Sequence, residues 1–315
     1  MKKRMMKLLT LFLVIVSLTG CTTLLKDKDK KPVKHPQTGQ TLTKNILCQP
    51  IDGKTLELYK KNKINVTELP KCEKFQINHG GYEGIWATVF VKPLAWLIIQ
   101  LGMLLKNYGL SIIATTLLIR LITVPLTKKT AMQSEQMKLA QPELTKLEKK
   151  YKNRTDQDSI MQKNQEMLSI YQKYKINPMA GCLFSLIQVP LFFAFYEALN
   201  RLPVIFEETF FGFQMGTNPI TAMASGQYQY IIFVILVIGA SYFSFKLNSS
   251  ASMSGEQAAQ MKMMSNMMVI FIGIASLSLS TGIALYWITN NIFTIIQNLV
   301  VKRRKENAKN ASLRR

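Results

Sequence analysis

The sequence is poor in acidic residues and in the residue types that most enzymes use for catalysis. Its 315 residues include two histidines, four cysteines and 18 Asp or Glu against 40 Lys or Arg, so the net charge is +22. We find neither a nucleophile beside a base nor a metal-ligand spacing, and we expect a protein that is not an enzyme and needs no metal or cofactor. The composition also excludes collagen-like, wholly disordered and disulfide-scaffold proteins.

Charge is missing from long stretches of the chain. Residues 202–206, 209–245 and 263–301 contain no Lys, Arg, Asp or Glu. The two longer runs exceed the roughly 20 apolar residues that a membrane-spanning helix needs. The net positive charge alone would suggest a nucleic-acid-binding protein. A soluble protein of that class has no use for such runs, so we expect an integral membrane protein that does not bind DNA.

The first 21 residues predict export and a lipid anchor. Four basic residues within 2–7 precede an apolar stretch at 8–18, as in a secretory signal peptide. The next residues, Leu18-Thr19-Gly20-Cys21, resemble a bacterial lipobox, which implies cleavage before Cys21 and a diacylglycerol on its sulfur. Alternatively, this is an ordinary signal peptide with an incidental cysteine. Two acyl chains would anchor the new N-terminus outside the cytoplasm, because each buried methylene contributes about 0.8 kcal/mol.

Residues 22–84 are polar and Lys-rich, and we expect them to form a short extracytoplasmic spacer. The segment contains Cys48 and Cys72, which would lie in an oxidising compartment. A disulfide between them is one prediction, and two unpaired thiols are the alternative.

Hydropathy predicts five membrane-spanning helices after this segment. We interpret residues 85–105 as an interfacial helix, because Trp86 and Trp96 suit the headgroup zone and Lys92-Pro93 interrupts its start. If that piece is itself a span, the orientation of every later segment is reversed. The predicted spans are residues 107–126, 179–200, 228–247, 264–280 and 282–301.

The distribution of basic residues predicts the orientation of the spans. The 127–177 connector has eleven Lys or Arg against six Asp or Glu, and the tail after Val301 has seven against one. Short basic loops stay in the cytoplasm, so both segments are expected there. With five spans the first one then begins outside, in agreement with a lipid-anchored N-terminus.

The 127–177 connector is predicted to be an antiparallel helical hairpin. Two stripes spaced by three and four residues flank a polar turn at 153–158. Pro142 is expected to kink the first arm. A basic outer face would either dock an acidic partner, lipid headgroups or a ribosome, or remain solvated and only enforce the orientation. The stripes are Met137, Ala140, Leu144, Leu147, Tyr151 and Ile160, Asn164, Met167, Tyr171, Tyr174; the basic face includes Lys146, Lys149, Lys150, Lys152 and Arg154.

Arg120 is a charge within the first predicted span. It lies 13 residues after Asn107, which places it roughly 20 Å along a helix and on the cytoplasmic half of the bilayer. An arginine at the centre of a span costs about 2.5–3.5 kcal/mol and normally faces a bundle interior or a wet cavity. Thr116 and Thr123 continue a polar stripe on the same face. Because Glu197 is the only acidic residue in any predicted span, we expect water as the companion of Arg120; the alternative is snorkelling towards the inner headgroups.

Several stretches together resemble the YidC family of membrane protein insertases, in the lipoprotein form found in Gram-positive bacteria. The resemblance covers about residues 85–303 and includes the hairpin and the tight turn before the last span. The most specific stretch is Asn177-Pro178-Met179-Ala180-Gly181-Cys182 followed by Gln188-Val189-Pro190-Leu191-Phe192. The others are Asn107-Tyr108-Gly109, Leu139-Ala140-Gln141-Pro142-Glu143-Leu144 and Leu285-Tyr286-Trp287-Ile288-Thr289-Asn290-Asn291.

The resemblance implies an all-α polytopic membrane protein with five transmembrane helices, a cytoplasmic helical hairpin and an interfacial N-terminal helix. It implies a hydrophilic groove that is open to the cytoplasm and to lipid. Arg120, Gln188 and Trp287 match the groove positions of the family, and Thr116 and Tyr286 adjoin them. A nascent protein would place its hydrophilic stretch in this groove while its hydrophobic segment moves into lipid.

The implied partners follow from that function. We expect nascent membrane proteins and membrane lipids, with a ribosome and a Sec translocon as further candidates, and a monomer in the bacterial plasma membrane with its C-terminus in the cytoplasm. The basic tail has only about 14 residues, which puts the ribosome contact in question. The alternatives are a small anion transporter or channel that uses Arg120, and a lipoprotein scaffold with an inert groove.

Overall fold

The computed structural model describes residues 22–154, 156–177, 180–249 and 255–313. The predicted signal peptide and Cys21 lie outside these residues, as do Pro178 and Met179 of the most specific stretch. The elements are α1 (Gly53–Lys61), α2 (Gly84–Trp86), α3 (Lys92–Leu105), α4 (Tyr108–Tyr151), α5 (Gln157–Lys173), α6 (Ala180–Asn200), α7 (Pro203–Glu207), β1 (Thr209–Phe210), β2 (Phe213–Gln214), α8 (Pro219–Ala224), α9 (Ile231–Ser249), α10 (Gly255–Ser276) and α11 (Thr281–Leu313).

Most of the described chain is helical, as predicted. The exception among named elements is an antiparallel pair in which Thr209 faces Gln214 and Phe210 faces Phe213. The chain forms two compact units. The first contains the described residues through Leu118, residues 188–235 and residues 275–289; the second contains residues 119–187, 236–274 and 290–315 where described.

Two helices continue well beyond the apolar runs from which they were predicted. Helix α4 extends through both Pro125 and Pro142, and α11 extends through the basic residues that follow Val301. The residues after each apolar run are mostly Lys, Glu, Gln, Ala and Leu, which are good helix formers. Loss of apolar character therefore marks an expected membrane edge in this chain and does not mark the end of a helix.

Three helical segments are long and apolar enough to cross a membrane among the residues the structure describes. They are Gly84–Leu105, Tyr108–Pro125 and Tyr228–Leu247, and Lys262–Ser276 is a shorter apolar helix. The first comprises α2, a π-helical turn at Ala87–Val91 and α3. It has the length of a span, although we predicted an interfacial helix. The number of spans and their orientation stay predictions.

Residues 22–84, which we call the N-terminal domain, are folded and have a buried core, whereas their extracytoplasmic location stays a prediction. The domain contains α1, and main-chain hydrogen bonds link its extended segments, including Leu25 N to Leu42 O at 2.8 Å. The apolar side chains occur singly among lysines and follow no period, so composition conceals the core that they form. Its buried members are Leu25, Leu42, Ile46, Tyr59, Val66 and Phe206, the last from α7.

The predicted helical hairpin is present, formed by the second half of α4 and by α5. All five residues of the first predicted stripe are buried. The second stripe is wrong at its start, because Ile160 is 50% exposed and Asn164 is also exposed. The packed side of α5 begins with Ser159, which a pattern taken from apolar residues overlooks. The apolar contacts join Met137, Ala140 and Leu144 to Met167, Ile170, Tyr171, Tyr174 and Ile176.

Candidate functional site

Arg120 lies on α4 and is 2% exposed. Its Nε donates a hydrogen bond to Asn290 Oδ1 at 2.6 Å, and its Nη2 donates to Thr294 Oγ1 at 3.1 Å and to Asn290 O at 3.4 Å. All three atoms are neutral acceptors on α11. These hydrogen bonds orient the guanidinium, and their acceptors carry no charge of their own. We call Arg120, Asn290 and Thr294 the arginine cluster.

The geometry of α11 explains why two of its residues meet one guanidinium. Asn290 and Thr294 are four residues apart and so share one face of the helix, one turn from each other. Both are buried, at 8% and 5% exposure. The Thr294 hydroxyl also donates to Asn290 O at 3.0 Å, which positions its oxygen within the cluster.

These contacts give Arg120 protein partners that we did not predict, and water as a further companion stays a prediction. A buried guanidinium needs acceptors for its fixed set of donors, and the last helix provides them. Asn290, Asn291 and Gln297 stand out in the sequence as polar residues at depth, suited to interhelical hydrogen bonds. Thr294 does not stand out in that way. The signal that could have found it is its four-residue spacing from Asn290.

A second hydrogen bond joins the same two helices two turns further along α4. Gln297 Nε2 donates to Thr127 Oγ1 at 2.7 Å, and Thr127 is buried. The polar groups of α4 and α11 therefore match at two levels. Thr116, also predicted as a groove residue, is 1% exposed and donates to the carbonyl of Ile112 at 2.7 Å in its own helix.

Gln188, Tyr286 and Trp287 lie close together in the first compact unit. Gln188 Nε2 donates to the Tyr286 hydroxyl at 3.3 Å. Tyr286 stacks on Phe195 with ring centroids 4.3 Å apart, and Phe192 meets Trp287 edge to face at 4.9 Å. Tyr286 is 1% exposed, so it acts mainly in packing, whereas Trp287 remains partly accessible.

The basic face of the hairpin is exposed but is not uniformly available. Lys146, Lys149 and Lys152 are exposed, as are Lys150 and Arg154. Lys150 pairs with Glu166 at 2.6 Å, and a hydrogen bond from that lysine holds the pKa of Glu166 below its usual value. Arg154 lies over the Tyr151 ring at 5.7 Å.

A network of buried charges occupies another part of the first unit. Arg201 is 1% exposed and contacts Glu83 at 2.5 Å and Glu197 at 3.3 Å. Its Nε donates to Asn45 O at 2.6 Å. Trp86 Nε1 donates to Glu197 Oε2 at 3.0 Å. These contacts join the end of α6 to residues 22–84 and to α2.

Lys92 completes this network from the start of α3. Its ammonium contacts Glu83 at 2.9 Å and donates to His79 O and Gly81 O at 2.8 and 2.7 Å. Burial alone would raise the pKa of Glu83. The hydrogen bonds and the positive charges of Lys92 and Arg201 outweigh burial and hold that pKa below its ordinary value.

The predicted cysteine sites remain to be placed in the structure, together with any metal site. Cys48 and Cys72 form a disulfide across a separation of 24 residues. Cys21, the predicted lipidation site, lies outside the described residues. No cluster of three or more His, Cys, Asp or Glu suited to a metal ion occurs within the part of the chain that the structure describes.

A family model and several known proteins match this chain, and they agree on one family. Residues 100–309 match the family described as 60Kd inner membrane protein. The membrane protein insertase YidC of Oceanobacillus iheyensis is 34% identical over 223 residues, which are 70% of this chain and 85% of that protein. Membrane protein insertase YidC 2 of Bacillus anthracis is 38% identical over 221 residues, 70% of this chain and 82% of that protein.

A crystal structure of an active YidC insertase is similar in fold. The TM-score is 0.51 at 24% sequence identity, and the match covers 78% of this chain. It covers 52% of the solved chain, so this protein spans about half the length of that one. At this identity the likeness bears on the fold alone.

Proposed function

The chain belongs to the YidC family of membrane protein insertases, and we propose that its insertase function depends on the arginine cluster. In this proposal the hydrophilic part of a nascent membrane protein is received near Arg120, while its hydrophobic segment moves into lipid. The process forms and breaks no covalent bond. The observation that carries the proposal is a guanidinium on a predicted membrane span that is 2% exposed and donates hydrogen bonds to Asn290 and Thr294.

A buried positive charge would lower the electrostatic cost of moving a polar segment into a membrane. A positive charge in surroundings of low dielectric attracts an acidic or strongly polar group more than the same charge does in water. Asn290 and Thr294 fix the direction of the guanidinium without cancelling its charge. An attraction on the order of 1–2 kcal/mol would favour the transfer of an acidic segment about five- to thirtyfold.

We further propose a lipid anchor at Cys21, an extracytoplasmic N-terminus and a cytoplasmic C-terminus in the bacterial plasma membrane. The disulfide supports an oxidising location for residues 22–84, because such bonds persist outside the reducing cytoplasm. The basic hairpin and tail support a cytoplasmic location for the opposite ends of the helices. Gln188 and Trp287 are proposed as further contacts for the nascent protein, on the basis of the family resemblance.

The exposed Lys146, Lys149 and Lys152 support a docking role for the hairpin. The partners that fit an exposed basic face are anionic headgroups, a ribosome or a Sec translocon, and the protein would act as a monomer beside them. Lys150 contributes less, since Glu166 already balances its charge.

The test is replacement of the native protein by variants in cells depleted of it. Arg120→Ala should reduce insertion of a small single-span protein with an acidic translocated tail by about tenfold, which corresponds to about 1.4 kcal/mol. Arg303→Ala removes an exposed arginine further along α11 and should have little effect. Normal insertion of every tested protein by Arg120→Ala would contradict the proposal. An Arg120-dependent anion flux in liposomes would instead favour a channel.

A further inference from the structure

A cavity of about 700 Å³ lies in the first compact unit. Its lining combines the N-terminal domain with the second half of α6, the start of α8 and the residues that precede α11. Val189 and Phe193 line it from α6 and are 47% and 52% exposed. With α6 as a predicted membrane span, these exposed apolar side chains would face lipid, and the cavity would open towards the bilayer.

Gln40 lines this cavity and has one buried side-chain atom without a hydrogen-bond partner in the described part of the chain. Gln40 is 7% exposed, and its Oε1 accepts no hydrogen bond from any residue in the described part of the chain. Its Nε2 donates to Asn200 Oδ1 at 3.4 Å, so the amide is held with its oxygen as the open acceptor. A buried acceptor left unsatisfied costs about 1–3 kcal/mol, which a ligand with an N–H or O–H donor would recover.

The start of the described chain is part of the same wall. Thr22 and Leu24 line the cavity together with Thr43. Main-chain hydrogen bonds fix this strand-like segment in place, with Lys44 N donating to Thr23 O at 2.6 Å and Leu25 N donating to Leu42 O at 2.8 Å. Cys21 is bonded directly to Thr22, so a group on its sulfur starts within one residue of the cavity.

We propose that this cavity holds the diacylglyceryl group and the amino terminus of lipidated Cys21. The inference rests on the lipid anchor proposed above. It assigns the cavity to a modified residue of this chain, and a free phospholipid with the same diacylglyceryl chemistry is the competing occupant.

The chemistry of the wall fits both parts of such a residue. Leu24, Val189, Phe193 and Ile220 provide apolar surface for the first part of an acyl chain, whose remainder leaves through the lipid-facing side. The α-amino group of the processed cysteine, or its amide N–H after acylation, is a hydrogen-bond donor for Gln40 Oε1. Covalent attachment to Thr22 keeps this lipid beside the cavity, whereas a free lipid exchanges with the rest of the bilayer.

A lipid seated between the N-terminal domain and α6 would be part of the packing of the first unit, in addition to being a membrane tether. The lipid would then help to join α6 to the N-terminal domain, as the ion pair between Arg201 and Glu83 does.

Photocrosslinking in the full-length protein tests the proposal. The photoreactive residue p-benzoylphenylalanine is placed at Ile220 in the cavity, or at Tyr228, which is 68% exposed and does not line it. After irradiation in membranes and digestion with trypsin, the N-terminal peptide of residues 21–26 is analysed by mass spectrometry. We expect a diacylglyceryl peptide crosslinked at position 220 and not at position 228, and a yield reduced severalfold by Gln40→Leu.

The outcomes distinguish lipidation of Cys21 from binding of that lipid in the cavity. A peptide that carries no lipid would overturn both the anchor and this inference. A lipidated peptide that is not crosslinked at position 220 would overturn the proposal that the cavity holds this lipid, and so would a free phospholipid crosslinked there in its place. Either result would leave the lipid anchor at Cys21 intact. Membrane insertion is measured separately with the Arg120 variants, so its result does not enter this test.

Discussion

Arg120 and Asn290 are 170 residues apart in the sequence, and Nε of the first donates to Oδ1 of the second at 2.6 Å. The contact fixes a buried cation with a neutral amide. An aspartate in place of Asn290 would bind the guanidinium more strongly and would remove much of its field. The Asn290 amide therefore gives buried Arg120 a hydrogen-bond partner without adding a negative charge beside it.

Asn290→Asp tests whether the function needs that absence of negative charge. We expect the folded protein to be at least as stable as the parent, because a carboxylate and a guanidinium form a charge-assisted pair. Insertion of proteins with acidic translocated tails should fall severalfold, since the pair presents less positive charge. The measurement combines thermal unfolding in detergent with the cellular insertion assay.

Asn298→Asp is the matched control for that change. Asn298 lies on the same helix, two turns beyond Asn290, and its amide donates to Thr294 O. It should alter insertion much less. Equal losses from the two variants would show that negative charge on α11 is harmful in general and would contradict a specific role for the Arg120–Asn290 contact.

Arg120 could be singled out from the sequence because one charge in an apolar run carries a large transfer cost. Its partner could not. Asn290, Asn291 and Gln297 are all polar residues of the last predicted span, and which of them faces Arg120 depends on how α11 packs against α4. The structure pairs Asn290 with Arg120 and Gln297 with Thr127, a choice that the spacing of polar residues in α11 does not determine.

The hairpin and residues 22–84 also differ in how well the sequence predicted their packing. The first arm of the hairpin was predicted residue by residue, because Met137 through Tyr151 repeat with a helical period. The core of residues 22–84 was missed, since Leu25, Tyr59 and Val66 follow no period and meet only through irregular chain. Periodicity therefore predicted packing in the regular helix and was uninformative in the irregular domain.

Glu83→Gln should weaken the first unit and reduce its sensitivity to acid. The folded-state pKa of Glu83 is lowered, so its ionisation stabilises the fold above its unfolded pKa near 4.5, and this contribution is lost as the pH falls through the folded value. We expect the parent to lose thermal stability between about pH 5 and pH 3. The variant should be less stable at neutral pH by on the order of 1–3 kcal/mol and should change less with acid.

Glu57→Gln is the control for that titration, because Glu57 is an exposed residue of α1. Its unfolding profile should follow that of the parent at each pH. If Glu83→Gln also followed the parent profile throughout, the contacts of Glu83 with Lys92 and Arg201 would not contribute to stability as inferred.

Removal of the disulfide should destabilise the N-terminal domain. Cys48→Ala combined with Cys72→Ala opens a link between residues separated by 24 positions, and the chain-entropy estimate for a loop of that size is roughly 3.5 kcal/mol. Limited proteolysis of residues 22–84 in the full-length protein should become faster. Reductant should accelerate cleavage of the parent and leave the variant unchanged, and a reductant-insensitive parent would contradict the prediction.

The hairpin should depend on its apolar seam far more than on its ion pairs. Leu144 is 5% exposed within the seam, and Leu144→Ala should cost about 2–4 kcal/mol of local stability, seen as faster hydrogen exchange in α5. Lys173→Ala removes a 2.6 Å pair with Glu143, but both side chains are solvent-accessible, and such pairs contribute little. Leu139→Ala, on the same arm at 59% exposure, controls for the loss of a leucine from an exposed surface. If Lys173→Ala raised the exchange rate as much as Leu144→Ala, the ion pair would stabilise the hairpin as much as its apolar contacts do. Added salt should then raise the exchange rate of the parent as well.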